Sequence, residues 1–141
     1  MSNLIFTTSA TATNGRDGHV RSDDGCINFK LVHPADKRQE GKEGSNPEQL
    51  FAAAYAACYD GALNLVASNQ NKKINSETTA EVNFCKDQKD SGFKLAVTLN
   101  IHIEGISPEE AEELTEEAHQ VCPYSKATRG NIEVTLIPKV A

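Results

Sequence analysis

The chain has 141 residues, of which 38% are hydrophobic and 24% charged, the make-up of an ordinary soluble globular protein, and one domain is expected over residues 1–141. Its net charge of −6, and the interruption of its densest basic stretch (Lys37, Arg38, Lys42) by Glu40 and Glu43, speak against nucleic acid as a partner, because phosphate backbones are held by clustered Lys and Arg. The start lacks a basic segment followed by an apolar run, and no stretch approaches the ~20 apolar residues of a membrane span, so a cytoplasmic protein with no membrane partner is expected.

Leu4 to Ser9 is β-prone. Arg16-Asp17-Gly18 and Asp23-Asp24-Gly25 are turn signals, and Ile27 to Leu31 alternates like a half-buried strand. His33 to Ser45 is polar and aperiodic, and predicts an exposed loop. Asn46-Pro47-Glu48 is a helix start: Asn caps free N–H groups, Pro suits the first helical position, and Glu complements the positive end of the dipole. That helix is expected to reach about Ser68. Leu50, Ala54, Cys58, Gly61 and Leu65 recur along it at helical steps, which predicts close packing against the small residues. Most of its other face is also Ala, Tyr or Val, more apolar surface than a monomer of this size ordinarily needs to hide, and a dimer is expected.

Ala80–Phe84 and Phe93–Ile103 alternate and flank a polar turn, so a hairpin with one wet face follows. Ser107-Pro108-Glu109-Glu110 is a capping box opening a second helix, whose apolar stripe (Ala111, Leu114, Ala118, Val121) ends at Cys122-Pro123. Ile132 to Leu136 reads as a last strand. The sum is an α+β domain, with helices packed on an antiparallel sheet.

Four cysteines are too few for a disulfide scaffold, and two of them occupy unlike settings. Cys58 reads as a hidden thiol in mid-helix, and Cys122 as a more mobile one at a helix end. A thiol that can be oxidised, within reach of a second that can resolve the product as a disulfide, is what a two-step redox reaction needs. Taken alone, Cys58 also fits a plain core residue, and Cys122 one that merely packs. Burial raises a thiol's pKa and a mid-helix position gains nothing from the dipole, so a reactive Cys58 needs a cation from elsewhere. Arg16 and Arg129, each beside a glycine in a tight turn, are the candidates. Cys26 and Cys85 read as structural. His119, Cys122 and Cys58 could be weighed as metal ligands, but without a tight pair of ligands His119 reads as a surface residue and no metal is expected.

The segments Asn46-Pro47-Glu48-Gln49-Leu50-Phe51-Ala52-Ala53-Ala54-Tyr55-Ala56-Ala57-Cys58 and Val121-Cys122-Pro123-Tyr124-Ser125-Lys126-Ala127-Thr128-Arg129-Gly130-Asn131 resemble the two cysteine motifs of the organic hydroperoxide resistance proteins, relatives of the OsmC-type proteins. The likeness includes Gly15-Arg16-Asp17-Gly18-His19 and Ser22-Asp23-Asp24-Gly25, and covers nearly the whole chain. It implies an OsmC-like fold, with antiparallel sheets around a long buried helix, in an intertwined homodimer. It also implies reduction of organic and fatty-acid hydroperoxides, with no cofactor beyond an external dithiol such as the dihydrolipoyl group of a lipoylated protein. By motif position Cys58 would be the peroxidatic thiol and Cys122 the resolving thiol, with Arg16 and Glu48 organising the site. The contrasting reading is a non-enzymatic module, either a redox sensor or a dimer that binds a hydrophobic ligand.

Overall fold

Residues 3–141 are described in a computed structural model. They fall into two compact units, one ending at Leu50 and the other running from Phe51 to Ala141. Met1 and Ser2, with which the expected single domain begins, lie outside the described residues.

In the first unit, β1 (Ala10–Thr13), β2 (His19–Ser22) and β3 (Asn28–Lys30) form an antiparallel sheet in the order β1-β2-β3. Thr13 pairs with His19, so residues 14–18 must reverse the chain at once. Asn14 and Gly15 do this at φ of 59° and 63°, in the left-handed region where Gly and Asn are favoured. Gly18 allows no side chain, because a Cβ there would lie 1.7 Å from the Thr13 carbonyl oxygen. The second turn signal is also real: Ser22 Oγ donates to Asp24 Oδ1 at 2.6 Å, and Asp24 Oδ1 accepts from the Cys26 N–H at 3.0 Å.

Two expectations are corrected here. Leu4–Ser9 is not a strand, and Leu4, Ile5 and Phe6 are 80, 91 and 79% exposed. β propensity without a neighbouring strand makes no ladder, and the first strand starts only at Ala10, where β2 pairs with it. The alternating run at Ile27–Leu31 shortens to Asn28–Lys30, whose residues are all exposed, leaving Leu31 and Val32 beyond it as the buried pair. The polar loop from His33 ends at Asn46, which caps α1 (Pro47–Asn69) by accepting the Gln49 N–H at 2.8 Å.

The second unit holds most of α1, then β4 (Asn75–Lys86), β5 (Phe93–Glu104), α2 (Pro108–Val121), α3 (Pro123–Thr128) and β6 (Val134–Val140). Tyr55, Tyr59, Leu63 and Val66 of α1 pack with Val97, Leu99, Ile101 and Ile103 of β5 and with Ala111, Leu114 and Ala118 of α2 in one core. Asp60 and Asn64 tie α1 to β4, through bonds to Thr78 Oγ1 and Ser76 Oγ, both at 2.8 Å. At 23 residues α1 is long and apolar enough to cross a membrane, contrary to the expectation that no stretch comes near that length. Its buried side chains instead make the core of this unit, as in the central helix of a layered fold.

The α+β class stands, with one departure from an antiparallel sheet. β4 and β5 form the expected hairpin, longer than its alternating segments at Asn75–Lys86 and Phe93–Glu104, but β6 pairs parallel to β5. A parallel pair needs a crossover of a dozen or more residues, and α2 with α3 supplies it. Pro138 is tolerated in β6 because that strand lies at the edge of the sheet. α3 was not foreseen: Pro123 does end α2, but it also occupies the first turn of the next helix.

The capping box at α2 is complete, with Ser107 Oγ accepting the Glu110 N–H at 3.2 Å and the Ser107 N–H donating to Glu110 Oε1 at 3.1 Å. Ser107→Ala is expected to cost about 1 kcal/mol of stability. In urea unfolding this shows as a lower midpoint with an unchanged slope.

Candidate active site

Two pairs of candidate residues assemble, one in each unit. In the first, the tight turn between β1 and β2 presents Arg16, and the first turn of α1 presents Glu48. Arg16 Nη1 donates to Glu48 Oε2 at 2.8 Å and Nη2 donates to Oε1 at 2.7 Å, a bidentate pair whose planar geometry only a guanidinium can supply. The Arg16 bonds hold the Glu48 carboxyl below the usual carboxylate range, and Glu48 in turn raises the guanidinium. The pair is therefore charged throughout the neutral range.

In the second unit, Cys122 Sγ lies 3.5 Å from Cys58 Sγ, with both thiols free. A disulfide is about 2.05 Å long, so the two sulfurs are in contact and not bonded. The thiol read as hidden is the less buried of the two. Cys122 is 0% exposed, while Cys58 is partly exposed. Cys58 is half-buried at the margin of the core that Tyr55 and Tyr59 enter, and Cys122 is enclosed at the junction of two helices.

Cys122 ends α2, but it is also the N-cap of α3, and its sulfur accepts the Ser125 N–H at 3.5 Å. The Cys58 thiol is pushed up, first by burial and then by the Cys122 thiol beside it, while the Tyr124 backbone N–H acts in the opposite sense. The causes that act on it are burial, the Tyr124 backbone and Cys122, none of them a cation. Arg129, the second candidate cation, donates from Nη2 to the His119 carbonyl at 2.6 Å and so caps the end of α2. Among the described residues no group of three or more His, Cys, Asp or Glu is placed to hold a metal ion. Cys26 is exposed in its turn and Cys85 half-buried on β4, and the contact between thiols leaves both out.

Sequence reasoning missed the groups that hold the thiol pair together. Tyr55, buried one turn before Cys58, has its hydroxyl 2.8 Å from Ser125 Oγ and 3.2 Å from Thr128 Oγ1, tying α1 to α3. Tyr59 donates to the Thr115 carbonyl at 2.6 Å and ties α1 to α2. The available signal was a pair of tyrosines in an alanine-rich helix, since a buried Tyr hydroxyl seeks a partner. Tyr55 also joins Phe51 and Tyr124 in an aromatic cluster, with ring centroids 5.9 to 6.4 Å apart, beside the segment that borders Cys58. A cleft of about 910 Å³ lies elsewhere, at the C-terminal end of α1, and is lined by Asn64, Ser68, Lys72 and Glu104 rather than by a thiol.

A family profile described as OsmC-like protein matches residues 39–137. The organic hydroperoxide resistance protein OhrB of Bacillus subtilis is 52% identical over 132 residues, which cover 94% of this chain and 96% of that protein. The crystal structure of OhrB superposes with a TM-score of 0.91 at 51% identity, covering 95% of this chain and 98% of that one. A relative from Vibrio cholerae, solved with captopril bound in one of the active sites, is 40% identical with a TM-score of 0.86, over 96% of this chain and 93% of that one. The chain belongs to the OsmC family and, within it, to the organic hydroperoxide resistance proteins.

Proposed function

We propose that this chain is a thiol-dependent peroxidase that reduces alkyl and fatty-acid hydroperoxides to alcohols in the cytoplasm, acting as one functional domain in each subunit of an intertwined homodimer. The observation that carries this reading is the 3.5 Å contact between one accessible and one enclosed thiol. In the first step the Cys58 thiolate attacks the distal peroxide oxygen: an S–O bond forms, the O–O bond breaks, and the departing alkoxide takes up a proton to become the alcohol. In the second, the Cys122 sulfur displaces the hydroxyl of the Cys58 sulfenic acid. The S–S bond forms, the S–O bond breaks, and hydroxyl and thiol proton leave as water. A dihydrolipoyl group or other external dithiol then reduces the disulfide by exchange, becoming a disulfide itself, so no resident cofactor takes part. The alanine-rich stretch of α1 leading to Cys58 favours alkyl hydroperoxides over hydrogen peroxide, because each buried CH₂ contributes about 0.8 kcal/mol.

Activation of Cys58 is assigned to Arg16, oriented by Glu48, and the two come from the partner subunit. Glu48 opens α1 and Cys58 follows ten residues later on the same unbroken helix, about 15 Å along the axis at 1.5 Å per residue. Homodimer formation is supported by what the lone chain leaves uncovered. Ala53, Ala57, Gly61 and Leu65, four residues apart on α1, are all exposed, and so are Leu4, Ile5 and Phe6. A Cβ placed on Gly61 would meet nothing within 4 Å, so that face has room for a closely packed second copy.

Steady-state consumption of an organic hydroperoxide tests the reading. With dihydrolipoamide the protein is expected to turn over many equivalents, and with a monothiol far fewer. Consumption that stops after one equivalent per subunit with either reductant would identify a sensor instead.

A further inference from the structure

The enclosed network around Tyr55 has no part in the steps above, and it bears on only one of them. We infer that Tyr55 is a positioning residue for the resolution step, holding the Cys122 junction at the distance from which Cys122 can reach an oxidised Cys58. This rests on the peroxidase reading. The chain of contacts is continuous: the Tyr55 hydroxyl is 2.8 Å from Ser125 Oγ, the Ser125 N–H points to Cys122 Sγ at 3.5 Å, and Cys122 Sγ is 3.5 Å from Cys58 Sγ. Tyr55 and Ser125 are each 0% exposed, so water does not compete for these bonds. Thr128 Oγ1 lies 3.2 Å from the Tyr55 hydroxyl and donates to the Ser125 carbonyl at 3.2 Å, fixing the far end of α3 to the same point.

α3 is only six residues long and has little stability of its own, so its position against α1 is set by the ring contacts of Tyr124 and by this network, whose hydroxyl bonds are its directional part. Tyr55 is anchored one turn from Cys58 on α1. Its hydroxyl therefore relates the two sulfur-bearing elements directly, whereas Tyr59 grips α2 through the Thr115 carbonyl. Attack on hydroperoxide needs only Cys58 and its activating groups. Formation of the disulfide needs the Cys122 sulfur brought to bonding distance in line with the S–O bond it displaces. Loosening α3 should slow the second event and spare the first. A sulfenic acid that waits longer meets a second hydroperoxide, which transfers an oxygen atom to sulfur, leaves as its alcohol, and gives the sulfinic acid irreversibly.

The test is Tyr55→Phe, which keeps the ring in the core and removes only the hydroxyl. Sulfenic acid formation is measured in a Cys122→Ser background with tert-butyl hydroperoxide, and disulfide formation with Cys122 present. The first rate is expected to stay within about twofold of its parent, and the second to fall about tenfold, as for loss of one hydrogen bond. The sulfinic fraction of Cys58, read by mass spectrometry, rises with hydroperoxide concentration. Ser125→Ala, which breaks the same bond from the other side and keeps the N–H to Cys122, gives the same split and guards against a folding defect peculiar to one variant. Equal slowing of both steps would reduce Tyr55 to a structural residue, and disulfide formation at the wild-type rate would remove its role while leaving the peroxidase reading intact. A wild-type protein that forms no Cys58–Cys122 disulfide at all would overturn both.

Discussion

Cys58→Ser is expected to consume no hydroperoxide, whereas Cys122→Ser consumes about one equivalent per subunit and then stops. The difference follows from the site: Cys58 is the thiol that an outside molecule can reach, and Cys122 is enclosed with its sulfur against Cys58. Loss of the first removes the nucleophile. Loss of the second leaves a sulfenic acid with nothing beside it to condense with. Titration of each variant with limiting cumene hydroperoxide, followed by sulfenic-acid labelling with dimedone, reads both outcomes. If Cys122→Ser were as inert as Cys58→Ser, or if Cys26→Ser or Cys85→Ser halted turnover, the division of labour would be wrong.

The second large effect is expected at Arg16. The Cys58 thiol is raised within its own unit, and the proposed mechanism assigns its reactivity at neutral pH to a cation brought from the partner. An opposite charge at close range shifts a pKa by about 1 to 3 units, so Arg16→Ala should lower the rate with hydroperoxide by roughly 10- to 1,000-fold. Arg16→Lys should fall nearly as far, because it keeps the charge and loses the fork that grips both oxygens of Glu48. Thiolate absorbance against pH checks the cause, and the Cys58 titration moves upward in Arg16→Ala. Glu48 does not confuse this measurement. Its folded pKa is depressed by Arg16, so the pair is intact at neutral pH and is lost only as pH falls through that depressed value, below the ordinary ~4.3 of a glutamate. Subunit origin is read by mixing Cys58→Ser with Arg16→Ala or with Glu48→Ala. Random exchange makes about half the dimers mixed, each with one intact site of two, and roughly a quarter of wild-type activity returns. Activity no higher than the average of the parents would place the guanidinium in the same chain as the thiol it serves.

Local chemistry made some of the structure readable in the sequence. Asn46-Pro47-Glu48 and Ser107-Pro108-Glu109-Glu110 mark helix starts because the capping atoms lie within three residues of the groups they satisfy. The β4–β5 hairpin was visible because its alternation is local too. What escaped depends on residues far apart in the chain. The parallel pairing of β6 with β5 is set by how α2 and α3 return the chain, and no periodicity encodes it. Leu4–Ser9 has strand propensity and no ladder to join, and Pro123 signals an end and a beginning with the same ring. Cys58, read as hidden, is partly exposed because helix spacing places a side chain on a face without saying which face a tyrosine has already claimed. For the same reason the bond from Tyr55 to Ser125, seventy residues apart, had no sequence signature.

The sealing of Cys122 at the α2–α3 junction imposes a sequence of encounters. A sulfur with no exposed surface cannot collide with a freely diffusing oxidant, electrophile or thiophilic metal ion, so its one ready reaction partner is the neighbour 3.5 Å away. On the proposed mechanism one thiol is thereby kept in reserve through episodes that would exhaust an open pair, and chemical insult falls on the sulfur at the threshold.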